Sequence, residues 1–201
     1  MPTLEEVLRR TSRTFALGIE GLNEPLQDEM RIAYLVLRVS DYLEDNTTLP
    51  PDQKAALLDS WADTLQGAPP PKDLLTHLAA TDDPSPDSMA AHHVRDILAA
   101  VQALPSSPQD LIRKHTRNST LGMARWVRRG PVIDTEEDLD DYMHEVAGRV
   151  GYLITDLFAL GSPVVAARRA ELLEVGREFG LALQTVNIVR GIPSDLERGW
   201  F

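Results

Sequence analysis

Tyr34, Arg38, Asp41, Glu44 and Asp45 stand at the close of an apolar run that reads Tyr34-Leu-Val-Leu-Arg38-Val-Ser-Asp41-Tyr-Leu-Glu44-Asp45. On a helix of about 3.6 residues per turn, Tyr34, Arg38, Asp41 and Asp45 share a sector of roughly 60°. Leu35, Val39, Tyr42 and Leu43 lie on the flanks, free to pack against neighbours. Like charges one turn apart cost a helix roughly 0.2–0.5 kcal/mol. Two uses of such a pair are open. It can sit on a solvated helix end, or it can be aimed at a divalent cation. Oxygen donors with no His or Cys nearby suit Mg²⁺, which keeps several waters and takes other ligands from substrate phosphates. Arg38 on the same face, under a run apolar enough to be buried, favours the second use and places these groups at the mouth of a cavity.

The elements that must position this face read as helices throughout. Residues 4–10 form a short helix before the polar turn Thr11-Ser12-Arg13-Thr14-Phe15, where Ser12 can serve as a plain N-cap. A long helix covers Pro25 to Asp45, and Asn46 to Pro51 breaks it with two prolines. Asp52 to Gln66 is amphipathic through Ala55, Leu58, Trp61, Ala62 and Leu65, with Gly67 as a stop. Pro69 to Pro71 and Asp82 to Pro86 read as surface linkers around a helix at 72–80. Adjacent His92 and His93 cannot point the same way on a helix, which argues against a metal pair. A helix opening at Pro108 reaches Trp126, Gly130 and Pro131 interrupt, and the acidic run from Asp134 suits a helix start. Tyr142 to Leu160 reads as one long apolar helix whose Ala147, Gly148 and Gly151 allow close packing of helices or close approach of a ligand. The last helix, about Arg168 to Arg190, carries Val175, Phe179, Leu183, Val186 and Val189 on its apolar side. No alternating strand pattern occurs, so the expected class is all-α.

Composition bounds the function further. The 201 residues fit one domain, and 43% hydrophobic content supports a sizeable core. A net charge of −11 without a basic stripe argues against nucleic acid as a partner. Lys54, Lys72 and Lys114 are the only lysines, so the remaining positive charge is arginine, which suits bidentate phosphate recognition. The absence of cysteine removes disulfides, thiolate metal sites and cysteine nucleophiles. The acidic start does not read as a signal peptide. The least charged run, Val150 to Ala167, contains Asp156, Gly161 and Pro163 and does not read as a membrane span. The expected location is cytoplasmic, with peripheral membrane contact allowed.

Five stretches together resemble the squalene/phytoene synthase family of head-to-head prenyl transferases. They are Thr11 to Phe15, Tyr34 to Asp45, Leu121-Gly122-Met123-Ala124, Tyr142-Met-His-Glu-Val-Ala147-Gly148-Arg-Val150-Gly151, and Leu183-Gln184-Thr-Val-Asn187-Ile-Val-Arg190. Their order and spacing match the family's over nearly the whole chain. The resemblance implies a class I isoprenoid-synthase fold, with helices around a central cavity and two acidic motifs facing each other across its mouth. It implies Mg²⁺, or Mn²⁺ in its place, and two prenyl diphosphates, with farnesyl diphosphate favoured over geranylgeranyl diphosphate. The first chain's double bond is joined to C1′ of the second to give a cyclopropyl diphosphate, which a second ionisation rearranges to a linear product. Squalene synthases also use NADPH, for which no site is identifiable in this chain.

By matching position, the resemblance makes Asp41 and Asp45 metal ligands with Glu44 assisting. Arg13, Arg38 and Arg190 contact diphosphate, Ser12 and Phe15 belong to the flap over it, and Tyr34 is a further substrate-binding residue. Tyr142 steers cation or proton chemistry. Ala147, Gly148, Val150, Gly151, Leu183 and Gln184 line the cavity, and Asn187 and Asp195 face the second metal cluster. Two departures stand out. The family's second motif usually reads Asn-Ile-x-Arg-Asp-x-x-x-Asp, whereas Gly191 here replaces the first aspartate. Gly191 and Pro193 together predict a helix stop at Arg190, which would turn Asp195 away. Family chains also run further, so the 201 residues lack helices that close the cavity. An uncovered apolar wall is expected, open to self-association or a partner subunit.

Overall fold

The computed structural model describes residues 2–79, 86–130 and 132–197, and their side chains except those of Arg13, 86–87 and 193–197. Among the described residues there are twelve α-helices, one π-helical segment and no strand. The helices are α1 (Leu4–Thr11), α2 (Arg13–Glu20), α3 (Leu26–Glu44), α4 (Pro51–Leu65), α5 (Lys72–Ala79), α6 (Pro86–His92), α7 (Val94–Ala103), α8 (Ser106–Arg129), α9 (Glu136–Met143), α10 (Arg149–Gly161), α11 (Pro163–Ala167) and α12 (Arg169–Glu197).

α3 is the central helix. It packs on α1, α2, α4, α6, α7, α8 and α10, which is why its apolar residues are nearly continuous rather than confined to one stripe. Leu35, Val36, Val39 and Leu43 are fully buried in the main core with Leu58 and Trp61 of α4 and Ile112 and Met123 of α8. Burial of each such side chain contributes about 1.5–3 kcal/mol. α4 lies along α8, and α10 is sandwiched between α8 and α12.

The expected helix from Tyr142 to Leu160 is interrupted. His144–Gly148 forms a π-helical turn between α9 and α10. The Arg149 N–H reaches back to the carbonyl of His144, while the Ser119 hydroxyl donates to the carbonyl of Glu145 at 2.6 Å. A partner from α8 therefore takes a carbonyl that a continuous α-helix would use itself, and the widened turn persists.

The expected stop at Arg190 is also corrected, because α12 runs through Gly191 and Pro193 to Glu197. Proline already has a helical φ, and its interior cost of about 3 kcal/mol falls on one lost bond to an upstream carbonyl. The carbonyl concerned belongs to Val189, on an exposed stretch of α12. α6 and α7 fill a stretch in which no element is clear from the residue pattern. Of the expected linker at 82–86, residues 82–85 lie outside the described residues and Pro86 opens α6.

Candidate functional site

The C-terminal turns of α3 are fixed from beneath by a chain of buried hydroxyls. Trp61 Nε1 donates to Ser40 Oγ at 3.1 Å, Ser40 meets Thr120 Oγ1 at 2.8 Å, and Thr120 donates to the carbonyl of Thr116 at 2.8 Å. Every member is satisfied, so the network rigidifies rather than penalises the core. Asp41 is the next residue along the backbone and turns outward. Arg38 Nη1 pairs with Asp41 Oδ2 at 2.8 Å, both partly shielded from water. This brings together Arg38 and Asp41 of the face read from the sequence.

Glu44 is the most perturbed group of this region. Burial first, and then the neighbouring carboxylates of Asp45 and Asp41, push its carboxyl up to about 8, against the pull of Lys54 and a hydrogen bond from Tyr142. Lys54 Nζ donates to the Glu44 carbonyl at 2.7 Å. Three carboxyl groups thus crowd the end of one helix with their charge incompletely offset. Among the described residues, no group of three or more His, Asp or Glu is arranged to enclose a metal ion. The donors fit a hard cation that takes one or two carboxylates and completes its shell with water and phosphate oxygens, as Mg²⁺ does.

At the other end of the face stands α2. Ser12 is its N-cap, with Oγ accepting from the Phe15 N–H at 3.1 Å. The Tyr34 hydroxyl lies near the Ser12 and Thr11 side chains, so Ser12 caps the helix beside the candidate face. Phe15 is half exposed and its ring lies 5.8 Å from that of Tyr34. The side chain of Arg13 is outside the described set. Ser12, Phe15 and Tyr34 thus stand at one end of the α3 face, and Arg38, Asp41 and Glu44 at the other.

Tyr142 reaches Glu44 from the end of α9, and its ring is held by α8. Trp126 lies edge-on to it at 5.6 Å, its Nε1 donates to Asp141 Oδ2 at 2.9 Å, and the Arg129 guanidinium covers the indole at 4.5 Å. The π turn beyond Tyr142 re-aims Glu145. This carboxylate is buried, bonded to Arg149 and Arg125, and occupies the place beside Gly122 where a Cβ would meet Glu145 Oε2 at 2.3 Å. Gly122 of the Leu-Gly-Met-Ala stretch makes room for it.

Of the two uses open for the small residues, the structure shows helix packing. A Cβ on Gly151 would lie 2.0 Å from the Gly176 carbonyl oxygen, and one on Gly180 would lie 2.4 Å from that of Ala147. Gly148 is buried beside His144 and Leu181, and Val150 packs on the main core. Gly148 and Gly151 lie in the seam between the π turn, α10 and α12. The seam is closed further by Arg177, which bonds Asp140 and lies 3.2 Å from His144 Nδ1.

α12 carries the second-motif positions. Gln184 is half-buried and accepts from Asn187 Nδ2 at 3.3 Å, while Leu183, Asn187 and Arg190 are exposed. The helix that carries them packs on α9, the π turn, α10 and α11. The side chain of Asp195 is outside the described set, but the unbroken helix puts residues 187 and 195 within roughly 80° of each other around its axis. Two concavities, of ≈ 450 Å³ beside Leu75 and Arg95 and ≈ 390 Å³ beside Arg31 and Leu104, lie away from this chemistry.

The model of the squalene/phytoene synthase family matches residues 8–201. The chain belongs to that family. It is 31% identical to squalene synthase 1 of Arabidopsis thaliana over 94% of this chain and 43% of that protein. It is 33% identical to the squalene synthase of Solanum lycopersicum (94% and 43%) and 32% to squalene synthase ERG9 of Candida albicans (96% and 43%). A solved squalene synthase complex, "The complex structure of TcSQS with ligand, BPH1237", superposes with a TM-score of 0.82 at 28% identity, covering 96% of this chain and 54% of that one. The chain thus spans less than half the length of these curated relatives. The fold is that of squalene synthase, a class I terpenoid synthase. No helix among the described residues is long and apolar enough to cross a membrane.

Within this squalene/phytoene synthase frame, two contributors escaped the sequence reading. From the sequence, Trp126 is only the end of a helix and Lys54 only one of three lysines. A cation in the first turn of a helix, against the dipole, was the signal at hand for Lys54.

Proposed function

We propose that the chain carries the first diphosphate site of a Mg²⁺-dependent head-to-head prenyl transferase, joining two farnesyl diphosphates through a cyclopropyl diphosphate to a squalene-type product. The observation that carries this reading is the meeting of Arg38–Asp41 with Glu44 and the Tyr142 hydroxyl at the end of α3. Asp41 and Asp45 would hold the cation with Glu44 assisting, and the cation supplies positive charge where diphosphate departs. Arg38 offers a fixed donor to the same oxygens. Phe15 and Tyr34 form an apolar flap over the diphosphate, limiting water at an allylic cation. The Tyr142 ring packs edge-on against Trp126, and its hydroxyl beside Glu44 would take or return a proton at the reacting chain ends. Farnesyl over geranylgeranyl diphosphate is preferred on the likeness to squalene synthases.

A second reading is favoured by Gly191, where the family's second motif has aspartate. In that reading the chain binds a prenyl diphosphate without turnover, or acts with a partner that completes the site. Incubation of the chain with Mg²⁺ and farnesyl or geranylgeranyl diphosphate, with and without NADPH, separates the two. A triterpene or tetraterpene product lost in Asp41→Asn is the expected result. Mg²⁺-dependent binding of a non-hydrolysable diphosphate analogue without product establishes the second reading, and absence of both rejects the pair.

A further inference from the structure

Lys54 occupies a place that runs against two preferences of its side chain. It lies at the first turn of α4, where the positive end of the helix dipole disfavours a cation. It is also only 6% exposed, and lysine is almost never so buried unless it is paired. Both costs are met by the end of α3. Nζ donates at 2.7 Å to the carbonyl of Glu44, in the last turn of α3, where the dipole favours a cation. The carboxylates of Glu44 and Asp45 act on the same ammonium. The ammonium of this α4 residue is thus turned to the end of α3. Its position is explained by the acids it faces.

We propose that Lys54 is the resident counter-charge of the acid motif: held on the last carbonyl of α3, it balances Glu44 and Asp45 and sets how tightly they grip a divalent cation. This rests on the reading of that motif as a cation and diphosphate site. The physical sense is a compromise. Without a bound cation, the charges of Asp41 and Asp45 and its own burial oppose ionisation of Glu44, and the ammonium offsets that crowding and keeps the final turn of α3 in shape. When a divalent cation enters, the same ammonium repels it. The site is preformed at the expense of tightness, which suits a motif that must release its cation with the diphosphate. Lys54 is a positioning residue here, acting through Glu44 and Asp45.

The sign of one measurement separates this role from a merely structural one. Mn²⁺ binding is followed by electron paramagnetic resonance in the wild type, Lys54→Met, Lys54→Gln and Lys54→Arg, with folding checked by far-ultraviolet circular dichroism. Loss of the charge in Met or Gln tightens Mn²⁺ binding by roughly three- to tenfold. It also lowers the metal-free melting temperature, by a margin that saturating Mn²⁺ narrows. Arg stays near the wild type. Gln retains a donor to the Glu44 carbonyl and covers the case in which Met fails to fold. Mn²⁺ binding that is unchanged or weaker in a folded, uncharged variant overturns the proposal. A wild type that binds no Mn²⁺ rejects the metal reading of the motif instead. The counter-charge is then read by a thermal double-mutant cycle of Lys54→Met with Asp45→Asn, where coupling upholds it and additivity overturns it.

Discussion

Replacing Gly151 by alanine tests the seam that holds α12, and with it the second-motif positions, against the rest of the molecule. In a helix interior, Gly→Ala normally gains up to about 1 kcal/mol. Here the new Cβ would meet the Gly176 carbonyl oxygen at 2.0 Å and its carbon at 2.4 Å, where ordinary contact begins near 3.4 Å. The obstacle is backbone, so no side chain can swing aside, and α10 and α12 must part. Overpacking of this kind costs about 1–3 kcal/mol. The upper end applies because the same seam is tight at Gly180 against Ala147, leaving a net loss of about 1–2 kcal/mol after the helix-propensity gain. For a chain of this size that lowers the melting temperature by about 2–8 °C. Gly18→Ala is the internal control, since nothing lies within 4 Å of its Cβ position, and it should raise the melting temperature. Thermal unfolding followed at 222 nm reads both. A Gly151→Ala protein that melts at or above the wild-type temperature would refute this description of the seam.

Two further expectations concern parts of the fold away from the acids. His115 Nε2 lies 2.8 Å from Asp156 Oδ2, and Arg169 Nε donates to Asp156 Oδ1 at 2.6 Å, tying α8, α10 and α12 together. Burial holds the His115 imidazole below its ordinary value of 6.5 despite Asp156, so the unfolded chain protonates first as pH falls. Stability from this group is therefore full above that value and lost below it; the raised Glu44 carboxyl contributes in the opposite sense over the same range, so the test is a difference in slope, the melting temperature of His115→Asn gaining on that of the wild type as pH falls from 7 to 5.5. Separately, Val175, Phe179, Val186 and Val189 are each more than half exposed, on the side of α12 opposite the seam. Phe179→Glu with Val186→Glu should reduce both self-association on size exclusion and fluorescence of an apolar dye, and an unchanged profile would remove the case for an uncovered wall.

Much of this arrangement was legible in the residues. The spacing of Tyr34, Arg38, Asp41 and Asp45 announced one face, and helix geometry alone brought Arg38 to Asp41. The apolar run at Leu35, Val39 and Leu43 announced the core that supports it. Other features depend on partners distant in sequence, which periodicity does not reveal. The π turn exists because Ser119 takes the Glu145 carbonyl, and Gly122 is small because Glu145 fills its space. Gly148 and Gly151 looked equally fit for a ligand or a helix until Gly176 and Gly180 were found opposite. Pro193 signalled a stop, but the local rule was overridden on an exposed stretch of α12. α12 is apolar on both sides, and only the fold shows which side is covered.

The central claim is that the end of α3 binds a divalent cation together with diphosphate oxygens. Isothermal titration of the chain with inorganic pyrophosphate, in Mg²⁺ and in chelator, tests it most directly. Binding is expected to require Mg²⁺ and to weaken by about tenfold or more in Asp41→Asn and in Asp45→Asn. Pyrophosphate binding that is equal in chelator, or unmoved by both substitutions, would contradict the claim.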